Sequence, residues 1–237
     1  MTNIPIARKE SVYVDWCCAA GQGGQLSLAS LSSPIFEQLP DPSSWLSPDL
    51  LREYQLLRHD ARRREWIATR WMILKQLSDL SVDAFGGDEK RLQLEKGANG
   101  QPMLPLSPAW GVSISHCPGF VAVLLAPGRV GVDVERYRPQ VLNLANRYLQ
   151  AAEQILLGKD TAGLILGWAV KEAVFKWLGG SGIAFREDIK IESVMPWKAM
   201  LQVRVQRKGV QDAEFISVHY QQQPALERVC AWVVEQS

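Results

Sequence analysis

The sequence predicts an α+β protein built on antiparallel sheets, and three observations carry that prediction. Beyond residue 108, short β-prone runs cluster ahead of one long helical stretch and again behind it, so strands and helices do not alternate as a doubly wound parallel fold requires. Gly97, Gly100, Pro102, Pro105 and Pro108 punctuate the middle of the chain and divide it into residues 1–108 and 109–237. The chain has 237 residues, 47% apolar and 22% charged, enough to bury a core without disulfide staples.

The elements follow in order. Val12 to Cys18 reads as a strand, and the Gly-, Ser- and Pro-rich stretch from Gly21 to Pro48 as turns and loop. Ser47-Pro48-Asp49 starts a helix, because the serine oxygen can cap and proline suits the first turn; Leu50, Leu51, Tyr54 and Leu57 follow at helical spacing. A second helical run passes through Trp66, Ile67, Ile73, Leu74 and Leu77 and is expected to break at Gly86-Gly87. The first half is therefore mostly helix over a small sheet. In the second half, residues 111–116, 121–126 and 130–135 read as strands, 162–178 as a helix, and 188–192, 201–206, 214–219 and 229–234 as further strands.

Composition excludes several classes. Twenty-six Lys and Arg against twenty-five Asp and Glu leave a net charge of +1, so no global field favours nucleic acid or a membrane surface. An anionic ligand must be met by a local cluster. Cys17, Cys18, Cys117 and Cys230 contain no C-x-x-C, which signals neither a zinc ribbon nor a disulfide framework and suits a reducing cytosol. Residues 1–10 lack the pattern of a secretory leader, and no apolar run approaches the roughly eighteen residues of a membrane span. The expectation is a soluble, cytoplasmic protein.

Four constellations can carry chemistry. In Gly131-Val132-Asp133-Val134-Glu135, side chains two apart share a face, so Asp133 and Glu135 stand together. Two neighbouring carboxylates either line a wet edge strand or hold a hard cation such as Mg²⁺. Trp168, Glu172 and Lys176 form one stripe of a helix, with the acid one turn before the base; the bulky tryptophan argues that this stripe is partly buried. Ser115 and His116, at a strand end before Pro118-Gly119, can serve a phosphate or simply the strand's own hydrogen bonding. Between Arg52 and Lys75, seven basic residues face three acidic ones, either as a solvated helix face or as bidentate phosphate ligands.

Taken in chain order, S-I-S-H, G-V-D-V-E and W-A-V-K-E-A-V-F-K-W-L-G-G resemble the 4′-phosphopantetheinyl transferases of the Sfp type, specifically over residues 111–182 and more weakly from about 47 to 105. The resemblance implies a monomer of two pseudo-symmetric halves, each a small antiparallel sheet packed with helices, with the active site at their interface. It implies transfer of phosphopantetheine from coenzyme A to a serine of an acyl, aryl or peptidyl carrier protein, with release of 3′,5′-ADP. The first half would contact the coenzyme A nucleotide, and the second would hold metal and catalytic residues.

Carried over by position, Asp133, Glu135 and Glu172 would bind Mg²⁺, and Asp133 would stand beside the coenzyme. Ser115 and His116 would face the 3′-phosphate of coenzyme A. Lys176 would contact the phosphate being transferred. Arg70, with Arg64 as a second, would lie near the nucleotide, and Glu153 would deprotonate the attacking serine directly or through water. The family's G-K-P turn reads Gly100-Gln101-Pro102, which removes a phosphate-binding lysine, and position 69 is Thr where Gly is usual. Two early family lysines have no counterpart near Leu50 and Glu53; Arg52 or Arg63 could replace them. The same acids and basic cluster leave two other readings open: a Mg²⁺-dependent hydrolase of a nucleoside diphosphate derivative, and a non-catalytic relative that holds coenzyme A or a carrier.

Overall fold

The computed structural model describes residues 16–21, 23–82, 85–86, 91–180 and 182–235. The chain forms two compact units, Met1–Val130 with Val234–Ser237, and Gly131–Val233.

The first unit holds a six-stranded antiparallel sheet in the order β1-β2-β8-β7-β6-β5. Its strands are β1 (Trp16–Ala19), β2 (Gln25–Ser30), β5 (Glu95–Lys96), β6 (Pro102–Met103), β7 (Trp110–Cys117) and β8 (Phe120–Pro127); β3 (Phe85–Gly86) and β4 (Arg91–Leu92) pair separately. Residues 12–15 of the expected first strand lie outside the described residues. The boundary expected near residue 108 falls elsewhere because β8 pairs with β2 on one side and β7 on the other, which ties residues 110–127 to the first unit. Helix α1 (Pro48–Leu56) starts as its sequence predicts, with Ser47 Oγ accepting from the Leu50 N–H at 3.4 Å.

Helix α2 (Asp60–Asp79) buries Trp66, Ile67, Met72, Ile73 and Leu77 in one core with Val121, Val123 and Leu125 of β8. Buried Gln76 fastens the two layers, its Nε2 donating to Ser27 Oγ at 2.8 Å and to the Val123 carbonyl at 3.1 Å. The helix ends seven residues before Gly86, at Asp79, where Ser81 turns the chain with φ 54°. Gly87 lies outside the described residues.

The second unit holds a five-stranded sheet in the order β10-β11-β12-β13-β9. These are β9 (Val130–Arg136), β10 (Ile189–Met195), β11 (Met200–Val205), β12 (Glu214–Gln223) and β13 (Arg228–Val234). Helices α3 (Val141–Leu144), α4 (Ala151–Leu157) and α5 (Thr161–Trp177) accompany it. Asp160 caps α5 by accepting from the Gly163 N–H at 2.8 Å. Ile165, Ala169, Val170, Ala173 and Val174 of α5 are buried in one core with Ile189, Val203, Val218 and Ala231 of the sheet. Helix α4 escapes periodicity analysis because it has seven residues and leaves Ile155 and Leu156 exposed. Among the described residues no helix is long and apolar enough to cross a membrane.

Candidate functional site

The acidic strand and the long helix of the second unit meet face to face. A Cβ placed on Gly131 would lie 1.9 Å from the Ala173 carbonyl oxygen, so only glycine lets β9 approach α5 this closely. Side chains two residues on share that face. Asp133 Oδ1 accepts from Lys176 Nζ at 2.8 Å, and Glu135 Oε1 accepts from Trp168 Nε1 at 2.9 Å. Ascending β9 from 131 to 135 therefore descends α5 from 173 and 176 to 168. The sequence's acidic alternation and its 168/172/176 stripe are two sides of one contact.

Burial distinguishes this face from a wet strand edge: Asp133 is 5% exposed although β9 is the last strand of its sheet. Burial first, then the Asp133 charge, pushes the Glu135 carboxyl up to about 7, against the pull of Arg138 at 3.3 Å. The same two causes raise Glu172, with Lys176 opposing. Lys176 does not close a surface pair with Glu172; its ammonium crosses to Asp133 and to the Val132 carbonyl at 2.9 Å. Trp168 is held edge-on to Tyr148 at 5.0 Å, which fixes the indole that orients Glu135.

Three carboxylates within reach of one another's charge form an oxygen donor set that suits a hard dication, because such an ion would offset the repulsion that raises Glu135 and Glu172. Among the described residues, no group of three or more His, Cys, Asp and Glu side chains is already arranged as a metal cage.

The residues that the resemblance places near the nucleotide fall in the first unit. Ser115 and His116 are neighbours on β7 and point to opposite faces, Ser115 buried and His116 exposed, so they do not present one common surface. His116 Nε2 lies 2.6 Å from Arg62 Nη1, and its Nδ1 lies 3.4 Å from Glu65. The arginine at this histidine is Arg62, whereas Arg64 is exposed elsewhere on α2. Arg70 stacks over Trp66 at 4.3 Å, and burial lowers its guanidinium to about 10. Thr69 proves to be its support: the buried hydroxyl accepts from Arg70 Nη1 at 3.0 Å and lies 2.9 Å from the Trp66 carbonyl. Gln101 folds back on its own turn, its Oε1 accepting from the Asn99 N–H at 3.0 Å, and Pro102 begins the adjoining strand β6.

Glu153, the expected base, faces the interior of the second unit. It is 3% exposed, and both oxygens are engaged: Oε1 accepts from the Ile191 N–H at 2.9 Å, Oε2 from the Gln150 N–H at 2.6 Å, and Lys171 Nζ reaches both, at 2.9 and 3.1 Å. Sequence reasoning assigned no role to Lys171 or Arg138, and it counted Arg62 only as one of the seven basic residues between Arg52 and Lys75. Lys171 carried a readable signal, since it lies among Ala169, Val170, Ala173 and Val174, where a lysine needs a buried partner.

Residues 129–232 match the family model described as the 4′-phosphopantetheinyl transferase superfamily. The chain is also similar to the 4′-phosphopantetheinyl transferase psf-1 of Bacillus pumilus, 31% identical over 101 residues. That similarity covers 40% of this chain and 43% of the relative, so the chain spans less than half the length of the relative it matches. The family match contains the whole β9–α5 contact.

Proposed function

We propose that this chain, whose residues 129–232 match the 4′-phosphopantetheinyl transferase superfamily model, transfers 4′-phosphopantetheine from coenzyme A to a serine of an apo acyl or peptidyl carrier protein. The observation that carries the reading is the seam at Gly131, which sets Asp133 and Glu135 of β9 against Glu172 and Lys176 of α5. In the reaction the serine oxygen bonds to the pantetheine-side phosphorus of the coenzyme A diphosphate. The bond from that phosphorus to the bridging oxygen breaks, 3′,5′-ADP leaves, and the serine proton passes to solvent.

Asp133, Glu135 and Glu172 would hold Mg²⁺, which when bound supplies positive charge to the diphosphate oxygens. Lys176 is held by Asp133 and the Val132 carbonyl, and its remaining N–H can face a phosphoryl oxygen. Charge placed where negative charge develops lowers the barrier more than it tightens ground-state binding. Arg62, Arg70 and His116 supply cationic and hydrogen-bonding groups for the nucleotide phosphates, with Arg70 fixed by Thr69 and Trp66. A cytoplasmic monomer is part of this proposal, supported by the resemblance.

The test is to incubate the protein with coenzyme A, Mg²⁺ and a panel of apo carriers and to weigh the carriers. We expect one or more to gain a single phosphopantetheine, with 3′,5′-ADP formed in equal amount and coenzyme A left intact when the carrier is omitted. No mass gain across the panel overturns the transferase reading, and breakdown of coenzyme A without a carrier replaces it with a hydrolase.

A further inference from the structure

Resting on the transferase reading, we infer that Lys171 and Glu153 are a positioning pair for the working face of α5, and that Glu153 takes no part in proton transfer. Lys171 precedes Glu172 directly, so on a helix of 3.6 residues per turn the two side chains leave α5 about 100° apart. One points into the unit's interior and is 0% exposed; the other stands at the site. Whatever fixes the first fixes the rotation of the second, and of Lys176 one turn on.

Glu153 is well built as that fixture. Its four contacts come from three places: the Gln150 N–H at the start of α4, the Ile191 N–H of β10, and both of its oxygens to Lys171 on α5. Lys171 adds the Arg186 carbonyl at 3.4 Å. The carboxylate therefore joins two helices and the sheet around one buried ammonium. General-base action requires an oxygen within about 3.2 Å of the substrate hydroxyl, directly or through one water. Glu153 has no exposed edge from which to offer one.

A buried ion pair has a property that a catalytic base lacks. Removing one partner strands a charge in the interior, whereas replacing both with apolar side chains of similar volume is often neutral. The experiment is a double-mutant cycle with Glu153→Leu, Lys171→Met and the two combined, read by thermal unfolding, by kcat and by the pH dependence of kcat/KM. Each single substitution is expected to lower Tm and to reduce kcat by about 100-fold or more, because displacement of the site by an ångström has that effect. The combined variant is expected to regain most of the lost Tm, return to within about 10-fold of the wild-type kcat, and keep the wild-type pH profile.

A combined variant that melts like the wild type yet is as inactive as Glu153→Leu overturns the inference, since the carboxylate would then be needed for chemistry. If the combined variant does not fold, Glu153→Gln decides. Loss of kcat at an unchanged Tm overturns the positioning role, and a fall in both supports it. Strictly additive Tm changes also overturn the pair, in a measurement that uses no substrate. Absence of transfer by the wild-type protein refutes the transferase reading separately.

Discussion

Gly131 and the carbonyl of Ala173 approach so closely that a Cβ on the glycine would stand 1.9 Å from that oxygen. Backbone meets backbone there, and the acids two and four residues along β9 are delivered to α5 as a result. Gly131→Ala must push the strand from the helix. We expect a stability loss of about 1–3 kcal/mol, as for other overpacked sites, with transfer activity falling further than stability at temperatures where the protein stays folded. Chemical denaturation and the carrier mass assay, run on the same sample, check this.

Glu172→Gln separates the energetics of the site from its function. The carboxyl is raised by burial and by the Asp133 charge, so its ionised form is less favourable in the folded chain than in the unfolded one. The neutral isostere should therefore leave stability at pH 7.5 equal or higher. Transfer should fall by about 100-fold or more, as for loss of a group that stabilises transition-state charge. Thermal melts without added metal read the first outcome, and carrier modification reads the second.

Arg70 should not tolerate lysine. Its guanidinium lies over the Trp66 ring and donates to the Thr69 hydroxyl, two contacts that a lysine ammonium does not reproduce together. Both Arg70→Lys and Arg70→Ala are expected to raise the KM for coenzyme A by about 10–100-fold with a smaller effect on kcat, in the range for a lost charged hydrogen bond. A coenzyme A titration at saturating carrier measures it.

Glu235 is one source of acid sensitivity. Glu235 accepts from the Arg129 backbone N–H and guanidinium, each at 2.9 Å, and these bonds hold it below its ordinary 4.5. A carboxyl lowered in the folded state adds stability that is present above 4.5 and lost as pH falls through the folded value. Glu235→Gln should thus cost less than about 1 kcal/mol at pH 7, given the exposure of the pair, and the difference from wild type should shrink as pH falls below 4.5. Urea denaturation of both proteins at pH 7 and over a descending pH series tests the sign.

Much of the architecture was legible because local patterns report local structure. Ser47 capping α1, the valine alternation of β9 and the apolar face of α5 each state their element within a few residues. The end of α2 was not, because Ser81 makes the turn with a positive φ that its type does not announce. The partition of the chain was also hidden. Gly and Pro density marked residue 108, but the ladders from β2 through β8 to β7 overrode that punctuation.

At the site, residue types and spacing were sufficient to select Asp133, Glu135, Glu172 and Lys176, because a period of two on a strand and of four on a helix each define a face. The sequence by itself limited these groups to acid, base and cation-binding roles. Tertiary structure alone decided whom each one serves: Lys176 goes to Asp133 rather than to Glu172, Thr69 supports Arg70, and Glu153 turns inward to Lys171. The reason is that a charge's partner is chosen by burial and by the orientation of distant elements. Residues 18 positions apart, such as 153 and 171, share a hydrogen bond only once helix and sheet have packed.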